Sequence, residues 1–455
     1  MRNDAERKTG YIGVDILNNA TICNETTALL ERGVPLDLVS VYKFDEATFY
    51  QNESLRLLDD RIKHIYPLNS LGSAWDLIRA PFVFGTRFIK TCWKALTAKT
   101  EGFKQKFKTL AHVLPALRLA YYWRKRNIGH VHCQWAHTAT TIGMHAAELL
   151  GIGFSFMGHA NDLFVHRVAL EDKVKRARFI LCISEYHRRF FLDMGADPNR
   201  LHVVYCGVSL DRFQDTQEFD PTRKKIVSVG RLVEKKGFDD LIRSCGILRD
   251  RGHDFECVIA GSGPEESNLK KLIDELELAD RVSITGKPIL QEDIPDFLKS
   301  ARIFSLPCVK DSEGDMDGLP QVLIESMACR VPAVSTYLVG IPDLIRHNEN
   351  GILVETRNPE ACANAMERLL VDDELTEQYG VEAEKWAKEH FGRSELARRL
   401  ERIFNWALTN PGQNPPESLY KATPGSADTY ENPQYESGER QPAKAPNKEL
   451  ATSMG

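Results

Sequence analysis

Two acidic residues stand eight positions apart in the segment Asp315–Ala328 (DMDGLPQVLIESMA), where side chains could bind a polar ligand. Gly318 and Pro320 mark a loop that turns into a helix, with the proline near the first helical position, where its missing N–H costs little. Free backbone N–H groups at such a helix start favour an anion such as a diphosphate. Asp317 at the tip and Glu325 about two turns in can bind separate hydroxyl groups of one extended ligand. Isolated acid pairs arise often by chance, but the turn and the apolar helix around this pair make chance a poorer explanation.

Two cations follow a predicted strand in the segment Val227–Gly237 (VSVGRLVEKKG). The strand ends at Gly230, Arg231 comes next, and Lys236 precedes the glycine that opens a helix. An arginine and a lysine at the carboxyl edge of a strand can clamp a diphosphate without a metal ion. The alternative is a pair of surface cations, which are mildly unfavourable near a helix start. We therefore expect an anionic ligand here.

A regular scaffold must bring these segments together, and the apolar pattern indicates which one. Short apolar runs alternate with amphipathic helical stretches, which predicts an α/β fold with parallel sheets. A first series runs from the strand Gly10–Ile16 to the helix Glu185–Met194. A second series begins at the strand Lys225–Val229, after the polar linker Gln214–Arg223. Two such series predict two Rossmann-like domains with a substrate cleft between them.

The domain boundaries follow from the same pattern. We predict an N-terminal domain over residues 9–213, a second domain over 224–385, and a C-terminal helix over 386–409 that crosses back to the first domain. Seven of the 21 prolines lie in residues 410–455, among Ser, Gln and Glu with few aliphatic residues. Such a segment buries too little apolar surface to offset the entropy lost on ordering, so we predict a disordered tail.

Composition excludes several classes of protein. Among 455 residues, 59 Lys and Arg stand against 64 Asp and Glu, a net charge of −5, and the pI is near 6.3, which argues against a nucleic-acid-coating protein. No run approaches 18 consecutive apolar residues, so no transmembrane helix is expected. The polar start Met1–Lys8 predicts no signal peptide. Ten cysteines without CxxC pairs indicate reduced thiols in a cytosolic protein.

Residues 79–126 differ from the rest of the chain. They hold twelve Lys and Arg and one acid, Glu101, with aromatic residues interleaved: Phe82, Phe84, Phe88, Trp93, Phe103, Phe107 and Trp123. One interpretation is a solvated pair of helices with an ordinary core face. A second is a basic amphipathic surface held against anionic lipid headgroups. A nucleic-acid patch is a third, without a recognisable module to support it. We favour the lipid surface.

Several motifs in order resemble the family-4 glycosyltransferases of the GT-B fold. They are GRLVEKKGFDDLI, AGSGPEE, the helix with the two acids, and VGIPDLI, which together cover about residues 225–355. A weaker resemblance runs through ETTALLERG, HVHCQWAHTAT and GIGFSFMGHANDLF in the first half. The subgroup that the chain resembles is the bacterial exopolysaccharide and colanic-acid type. The resemblance implies that residues 9–213 bind the acceptor and 224–385 bind a nucleotide-sugar.

The resemblance also implies roles for individual residues. Arg231 and Lys236 match the cations that bind the donor diphosphate, and the backbone amides of Gly318 and Leu319 would meet its phosphates. The other matches are Asp317, which would contact the donor sugar, Glu325, which would hold the ribose, and His159, which would approach the sugar from the first domain. Transfer in this family retains the anomeric configuration, and the leaving phosphate is thought to help deprotonate the acceptor.

Three positions depart from the family pattern. Asp317 stands where Glu is usual, Gln134 stands where a second histidine is common, and Asn161 replaces a histidine. These departures affect the identity of the donor and the acceptor more than the reaction class. We expect backbone groups near Gly286–Pro288 to contact the base, and we favour UDP.

The implied function is a retaining, metal-independent hexosyltransferase of surface polysaccharide biosynthesis. It would need no cofactor beyond its nucleoside-diphosphate-sugar substrate, bind a lipid-linked or glycan acceptor and no nucleic acid, and act in the cytoplasm at the inner face of the plasma membrane. The alternatives are a GT-B phosphorylase or sucrose-type synthase and a non-catalytic nucleotide-sugar-binding scaffold. A scaffold need not keep both acids and both cations.

Two short motifs point to other kinds of site. The string Asp315-Met-Asp317 resembles a metal-binding DxD motif, and the GSG at Gly261–Gly263 resembles part of a dinucleotide fingerprint. We interpret both matches as coincidental.

Overall fold

Two parallel β-sheets form the framework of the chain in the computed structural model, which describes residues 7–17, 19–43, 58–213 and 218–419. The first sheet contains β1 (Lys8–Gly13), β2 (Leu36–Ser40), β3 (Ile62–His64), β4 (Ile128–Gln134), β5 (Gly153–Gly158), β6 (Phe179–Cys182) and β7 (Leu201–Val203). Its strand order is β3-β2-β1-β4-β5-β6-β7. Every strand pair in it is parallel.

The second sheet has six strands within the described ranges. They are β8 (Lys225–Val229), β9 (Glu256–Ala260), β10 (Val282–Ile284), β11 (Ile303–Leu306), β12 (Ala333–Thr336) and β13 (Gly351–Val354). The strand order is β10-β9-β8-β11-β12-β13, again all parallel. In both sheets the order reverses beside the first strand, and in open α/β sheets ligands bind outside the carboxyl ends of strands at such a point.

Helices follow most strands. In the first domain they are α1 (Ala20–Glu31), α2 (Ser70–Phe84), α3 (Thr86–Thr97), α4 (Phe103–Ala111), α5 (Val113–Arg124), α6 (Thr138–Leu150), α7 (Asn161–Phe164), α8 (Leu170–Arg176) and α9 (Glu185–Asp193). In the second domain and beyond it they are α10 (Phe238–Asp250), α11 (Glu266–Glu275), α12 (Ile294–Lys299), α13 (Gln321–Ala328), α14 (Ile341–Leu344), α15 (Pro359–Val371), α16 (Asp373–His390) and α17 (Arg393–Thr409). The predicted α/β fold with two Rossmann-like domains is confirmed.

Local sequence explains where these elements begin and end. The inner strands are buried on both faces, which is why β11 reads as the continuous run IFSL rather than as an alternating pattern. Asn358 caps α15 by accepting a hydrogen bond from the Ala361 N–H at 2.9 Å, and Pro359 occupies the first helical position. Gly151 ends α6 in the left-handed conformation.

The last long helix, α17, packs against α1 of the first domain. Arg32 pairs with Glu401 at 2.6 Å, and Arg393 pairs with Glu31 at 3.3 Å. The predicted C-terminal helix over 386–409 corresponds to the end of α16 and the whole of α17, because the chain turns at Phe391 and Gly392. The predicted domain boundaries stay predictions.

The described beginning of the predicted tail is ordered against the first domain. The Arg178 guanidinium donates to the carbonyl oxygen of Ala407 at 2.8 Å and also to those of Asn410 and Gln413. The rest of the predicted tail, residues 420–455, lies outside the described residues. So do residues 214–217 of the predicted linker.

Residues 79–126 form part of α2 and all of α3, α4 and α5, but their aromatic side chains do not share one environment. Trp123 of α5 is 1% exposed and its indole N–H donates to the Asp37 carboxylate at 2.9 Å. Phe84 at the end of α2 is also buried. These two residues belong to the core, so the sequence interpretation of the whole segment as surface was wrong for them. Within the described ranges, the helices are too short or too polar to cross a bilayer.

Candidate active site

The two domains meet where a loop after β5 faces the loop before α13. A Cβ added at Gly318 would lie 2.9 Å from the carbonyl oxygen of His159 and 3.4 Å from the His187 ring. The imidazole Nε2 of His187 also bonds to that His159 carbonyl oxygen. A second contact joins the domains nearby, since the Glu185 N–H donates to the Asp343 carboxylate at 2.6 Å. The cleft therefore has a fixed wall in which residues 159 and 318 are neighbours.

Two lysines and two aspartates form a charged cluster on the second-domain side of the cleft. Lys236 Nζ bonds to the Asp317 carboxylate. Lys235 Nζ lies 2.9 Å from Asp315 Oδ2 and 3.3 Å from Asp317 Oδ1. The side chains of Asp317 and Lys236 are 12% and 15% exposed, so the pair is shielded from bulk water yet open on one side.

The cluster fixes the charge of its members. Burial alone would lower the pKa of Lys236, but the Asp317 carboxylate outweighs burial and raises it. For Asp317, burial raises the pKa and the attraction of Lys236 and Lys235 outweighs burial, so the pKa falls below its usual value. Both groups are therefore charged at neutral pH, as an anion-binding site that also accepts hydrogen bonds requires.

The backbone around these lysines is shaped by one glycine. Gly237 has a φ of +66°, and a Cβ there would overlap the carbonyl oxygen of Pro307. This close approach lets the Val309 N–H donate to the Lys235 carbonyl oxygen at 2.9 Å. The turn between β8 and α10 is thus pinned to the loop after β11, which places Lys236 beside Asp317.

Glu325, the second acid, lies along α13 near the domain linker. Its carboxylate is 3.7 Å from Arg212, whose guanidinium also donates to the Gln291 carbonyl oxygen at 2.7 Å. Burial raises the pKa of Glu325, and Arg212 opposes that rise. The two predicted acids therefore lie in different environments: Asp317 is paired with two lysines, whereas Glu325 has a single, more distant cation.

On the first-domain side, His159 is held by three neighbours. Its backbone N–H donates to the Asp162 carboxylate at 3.0 Å, its ring Nε2 is 2.9 Å from Gln134 Oε1, and Trp135 packs on the ring with centroids 4.6 Å apart. Burial lowers the pKa of His159 to about 3, and nearby His187 adds to the effect. The imidazole is therefore neutral at physiological pH.

The tautomer of His159 follows from a chain of hydrogen bonds behind it. Gln134 Nε2 donates to Glu25 Oε1 at 2.9 Å, and the Tyr11 hydroxyl donates to the same oxygen at 2.6 Å. Because the amide N of Gln134 faces a carboxylate, its oxygen faces His159 and must accept from Nε2–H. His159 Nδ1 is then the acceptor nitrogen.

Two buried ionisable groups brace the loop that carries Trp135. Asp162 accepts from the Ala136 N–H at 2.5 Å, and Lys173 donates to the carbonyl oxygens of Ala136 and His137 at 2.5 and 2.9 Å. Burial raises the pKa of Asp162 to about 6 and lowers that of Lys173 to about 7. Backbone polar groups of a loop next to a site are thereby satisfied without water.

The remaining predicted residues lie near the cluster in different environments. Arg231 is exposed after β8, and Leu319 is buried beside Gly318, whose carbonyl oxygen accepts from the Gly340 N–H at 3.1 Å. Residues 286–288 follow β10 next to the GSG loop, where the Gly261 N–H donates to Thr285 Oγ1 at 3.1 Å. In the same GSG loop, the carbonyl oxygen of Ser262 accepts a hydrogen bond from the Leu232 N–H, so the loop packs against the turn after β8.

Sequence reasoning missed several residues of this site. The sequence pattern does not single out Lys235, although it lies beside Lys236. The interpretation of Asp315 as part of a coincidental motif also misses its ion pair with Lys235. Glu25 begins the motif ETTALLERG, but the motif does not show its bond to Gln134, which depends on a contact across 109 residues. Long-range contacts of this kind leave no local pattern.

Within the described residues, no group of three or more His, Cys, Asp or Glu side chains is arranged to hold a metal ion.

Two family models match the chain. The one described as glycosyl transferases group 1 matches residues 211–386, and the one described as glycosyltransferase family 4 matches residues 99–212. The two matches adjoin and together cover residues 99–386, which include all the predicted site residues.

Curated relatives agree with these models. The chain is 35% identical over 259 residues to the amylovoran biosynthesis glycosyltransferase AmsK of Erwinia amylovora, which covers 54% of the chain and 63% of that protein. It is 32% identical to the putative colanic acid biosynthesis glycosyltransferase WcaL of Salmonella typhimurium, over 50% of the chain and 56% of the relative. Those two matches span less than two thirds of each relative. The match to alpha-D-kanosaminyltransferase of Streptomyces kanamyceticus is 33% identical and covers 62% of the chain and 78% of that protein.

Solved structures show the same fold. A glycosyltransferase from Rickettsia africae superposes with a TM-score of 0.65 at 18% identity, over 89% of the chain and 100% of that structure. Anabaena HepE in complex with UDP superposes with a TM-score of 0.65 at 16% identity, over 88% of the chain and 99% of that structure. The fold, the family models and the relatives agree, and the chain belongs to the family-4 glycosyltransferases of the GT-B fold.

Proposed function

We propose that the chain is a retaining hexosyltransferase that moves a sugar from a nucleoside-diphosphate-sugar to a lipid-linked or glycan acceptor. The observation that carries this proposal is the cluster of Lys235, Lys236 and Asp317, which adjoins Gly318, where the second domain touches the His159 backbone of the first. An ammonium group has three donors, so Lys236 can keep its bond to Asp317 and still donate to a phosphate. Arg231, exposed after the same strand, is available to the diphosphate as a second cation.

The roles that we propose for the two acids are those that the family resemblance implies. Asp317 is held charged beside the lysines and accepts hydrogen bonds from donor-sugar hydroxyl groups, while Glu325 binds the ribose. The backbone N–H groups of Gly318 and Leu319, just before α13, face the phosphates. His159 is neutral and offers Nδ1 as an acceptor to the sugar, so it contributes a hydrogen bond and not a positive charge.

The reaction needs only these groups and the two substrates. The bond between the anomeric carbon and the diphosphate oxygen breaks, and the acceptor oxygen forms a bond to the same carbon. The acceptor hydroxyl loses its proton to the leaving diphosphate, and the products are a nucleoside diphosphate and a glycoside of retained configuration. Lys236 and Arg231 stabilise the charge that develops on the leaving group, so we predict catalysis without a metal ion.

The names of the relatives support the biological setting. AmsK and WcaL are described as biosynthesis enzymes of amylovoran and colanic acid. We propose by analogy that the chain acts in surface polysaccharide biosynthesis. A lipid-linked acceptor would place it at the inner face of the plasma membrane. HepE was solved with UDP, which favours UDP as the base-bearing part of the donor.

A thermal-shift screen with UDP, GDP, ADP and their sugar conjugates in EDTA tests the proposal. A ligand at about 100 times its Kd adds about 2.7 kcal/mol to the free energy of unfolding. We expect a shift with one nucleotide that Lys236→Ala and Glu325→Ala lose and that Lys271→Ala, an exposed control, keeps. No shift from well-folded protein would contradict the proposal, and binding without turnover of any supplied acceptor would favour a scaffold.

A further inference from the structure

Exposed apolar side chains are concentrated in one region of the first domain. Of the fifteen large hydrophobic residues that are exposed in the described part of the chain, eleven lie between residues 71 and 110. Scattered exposed hydrophobic residues are normal, but a contiguous set marks an interaction surface.

The set is ordered along three consecutive helices. On α2, the exposed residues Leu71, Trp75, Ile78 and Phe82 follow the spacing i, i+4, i+7, i+11 of one helix face. Phe82 is 89% exposed. The residues that α2 buries include the small Ser73 and Ala80 in addition to Phe84.

The next two helices repeat this arrangement. On α3 the exposed stripe is Ile89, Trp93 and Leu96, and the buried residues are the small Thr91 and Ala95. On α4, Phe103, Phe107 and Leu110 have the same i, i+4, i+7 spacing and are exposed, while Thr109 is buried. Most of the large apolar residues on these three helices therefore face outwards, whereas Phe84 and Phe88 pack on the core. The helices pack in succession, α2 on α3 and α3 on α4, so we name the combined surface of residues 71–110 the docking face.

The charge of the docking face differs from that of the whole chain. Residues 70–111 contain eight Lys and Arg and two acids, 8 − 2 = +6, within a chain of net charge −5. Lys90, Lys104 and Lys108 are exposed beside the apolar stripes. Lysines beside aromatic residues can bury their alkyl stems and keep the ammonium group at the level of lipid headgroups.

We propose that the docking face binds the surface of an anionic phospholipid bilayer, with Trp75, Phe82, Trp93 and Phe107 inserted at the headgroup boundary. Tryptophan is enriched at that boundary, and the net positive charge matches acidic lipid headgroups. An isologous dimer through this face would bring two surfaces of charge +6 together. The inference goes beyond the proposed reaction and does not depend on it.

The docking face is connected to the cleft by specific contacts. Between α3 and α4, Glu101 accepts from the N–H groups of Ala169 and Leu170 at 2.8 and 3.1 Å, and Lys99 pairs with Glu171 at 2.8 Å. These contacts brace the start of α8, which follows the loop of His159 and the short helix α7 along the chain. A bilayer bound to α2–α4 would therefore be attached to the acceptor side of the cleft.

Flotation of the full chain with vesicles tests this proposal. We expect binding to phosphatidylcholine vesicles that contain phosphatidylglycerol, weaker binding at high salt, and a blue shift of tryptophan fluorescence on binding. The double variant Trp93→Ser/Phe107→Ser should lose binding, while Leu290→Ser/Val371→Ser, which changes exposed apolar residues elsewhere, should keep it. Lys90→Ala/Lys104→Ala should weaken binding about fivefold per charge, and Lys271→Ala/Lys385→Ala should not.

Other outcomes would overturn the proposal. Two such outcomes are a well-folded protein that does not bind vesicles and binding that Trp93→Ser/Phe107→Ser leaves unchanged. A third is a dimer in solution that this variant abolishes, which would assign the face to a second copy of the chain. The nucleotide thermal shift, measured on the same variants, should stay as in the wild type. That readout separates failure of the docking face from failure of the proposed reaction.

Discussion

The carbonyl oxygen of His159 lies so close to Gly318 that a Cβ at position 318 would be 2.9 Å from it. Gly318 precedes α13 of the second domain, and His159 follows β5 of the first, so this contact joins the two domains beside the cleft. Real Cβ atoms almost never sit this close to an oxygen, and the neighbour is backbone, which cannot rotate away. We conclude that a larger residue at 318 would force the two domains apart at this contact.

Gly318→Ala is therefore expected to lower kcat by at least about tenfold, since small displacements of reacting groups cost that much or more. Nucleotide binding to the second domain should change much less, because the added methyl group points at the first domain. Steady-state kinetics together with the nucleotide thermal shift would measure both. Gly246→Ala in α10 is the control, since a Cβ there would make only ordinary contacts at 3.9 Å, with Leu276 and Leu278. Equal kcat in the two variants would contradict this account.

The fold was predictable because the relevant signals are local. Apolar runs such as Lys225–Val229, predicted as a strand, coincide with β8, and the helix predicted over Glu185–Met194 differs from α9 by one residue. Errors fall at element ends: the strand predicted over Gly10–Ile16 is Lys8–Gly13, because Val14, Asp15 and Ile16 continue beyond the strand as a loop. The GT-B resemblance is confirmed by the family models and the solved structures.

The candidate site was predictable only in part. The motif around Asp317 and Lys236 identified the second-domain wall, although the roles assigned to these residues stay predictions. Nothing in the sequence showed that Lys236 binds Asp317, because 81 positions separate them. The basic aromatic segment contained both core and surface residues, and composition could not separate the buried Trp123 from the exposed Trp93.

The ion pair of Lys236 with Asp317 gives a second prediction. Lys236→Ala should weaken binding of the nucleoside diphosphate about 10- to 100-fold, which is the effect of losing a charged hydrogen bond. It should lower the free energy of unfolding by only about 1–3 kcal/mol, because Lys235 remains 3.3 Å from the carboxylate of Asp317. Calorimetric titration and denaturant unfolding would measure the two effects.

Lys270→Ala is the control for that measurement. Lys270 pairs with Glu266 on the exposed face of α11 at 2.7 Å, so its removal should cost less than about 1 kcal/mol and leave nucleotide binding intact. If the two variants bound nucleotide equally well, Lys236 would be a structural residue only.

Gln134 should act as a positioning residue for His159. Gln134→Leu removes both the acceptor of His159 Nε2 and the donor to Glu25, so we expect kcat to fall about 10- to 100-fold while the KM for the donor changes little. Gln134→His, which has a histidine where relatives in the family commonly have one, should restore part of the activity. Gln378→Leu, an exposed glutamine on α16, controls for the loss of a surface amide. A rise in the KM for the donor with unchanged kcat would show that Gln134 serves binding instead.

Glu25 gives a prediction about pH. Burial raises the pKa of Glu25 from 4.5 to about 7, and hydrogen bonds from Tyr11 and Gln134 only partly offset that rise. Between these values the folded chain binds more protons than the unfolded chain, so this group makes the free energy of unfolding fall as pH rises from about 4.5 to 7. At 1.36 kcal/mol per pKa unit, the total is about 3 kcal/mol at most.

Glu25→Gln keeps the oxygen that accepts from Tyr11 and Gln134 but removes the titration. The stability of the variant relative to the wild type should therefore increase as pH rises from about 5 to 8, and level off above that range. Urea unfolding at a series of pH values would measure the difference, and the comparison cancels the contributions of the other ionisable groups. Glu31→Gln, at the exposed end of the same helix α1, controls for the loss of one carboxylate. A wild-type and a variant curve that stay parallel over this range would mean that Glu25 is already ionised at pH 5 in the folded chain, and that Gln134 is oriented by a permanent negative charge.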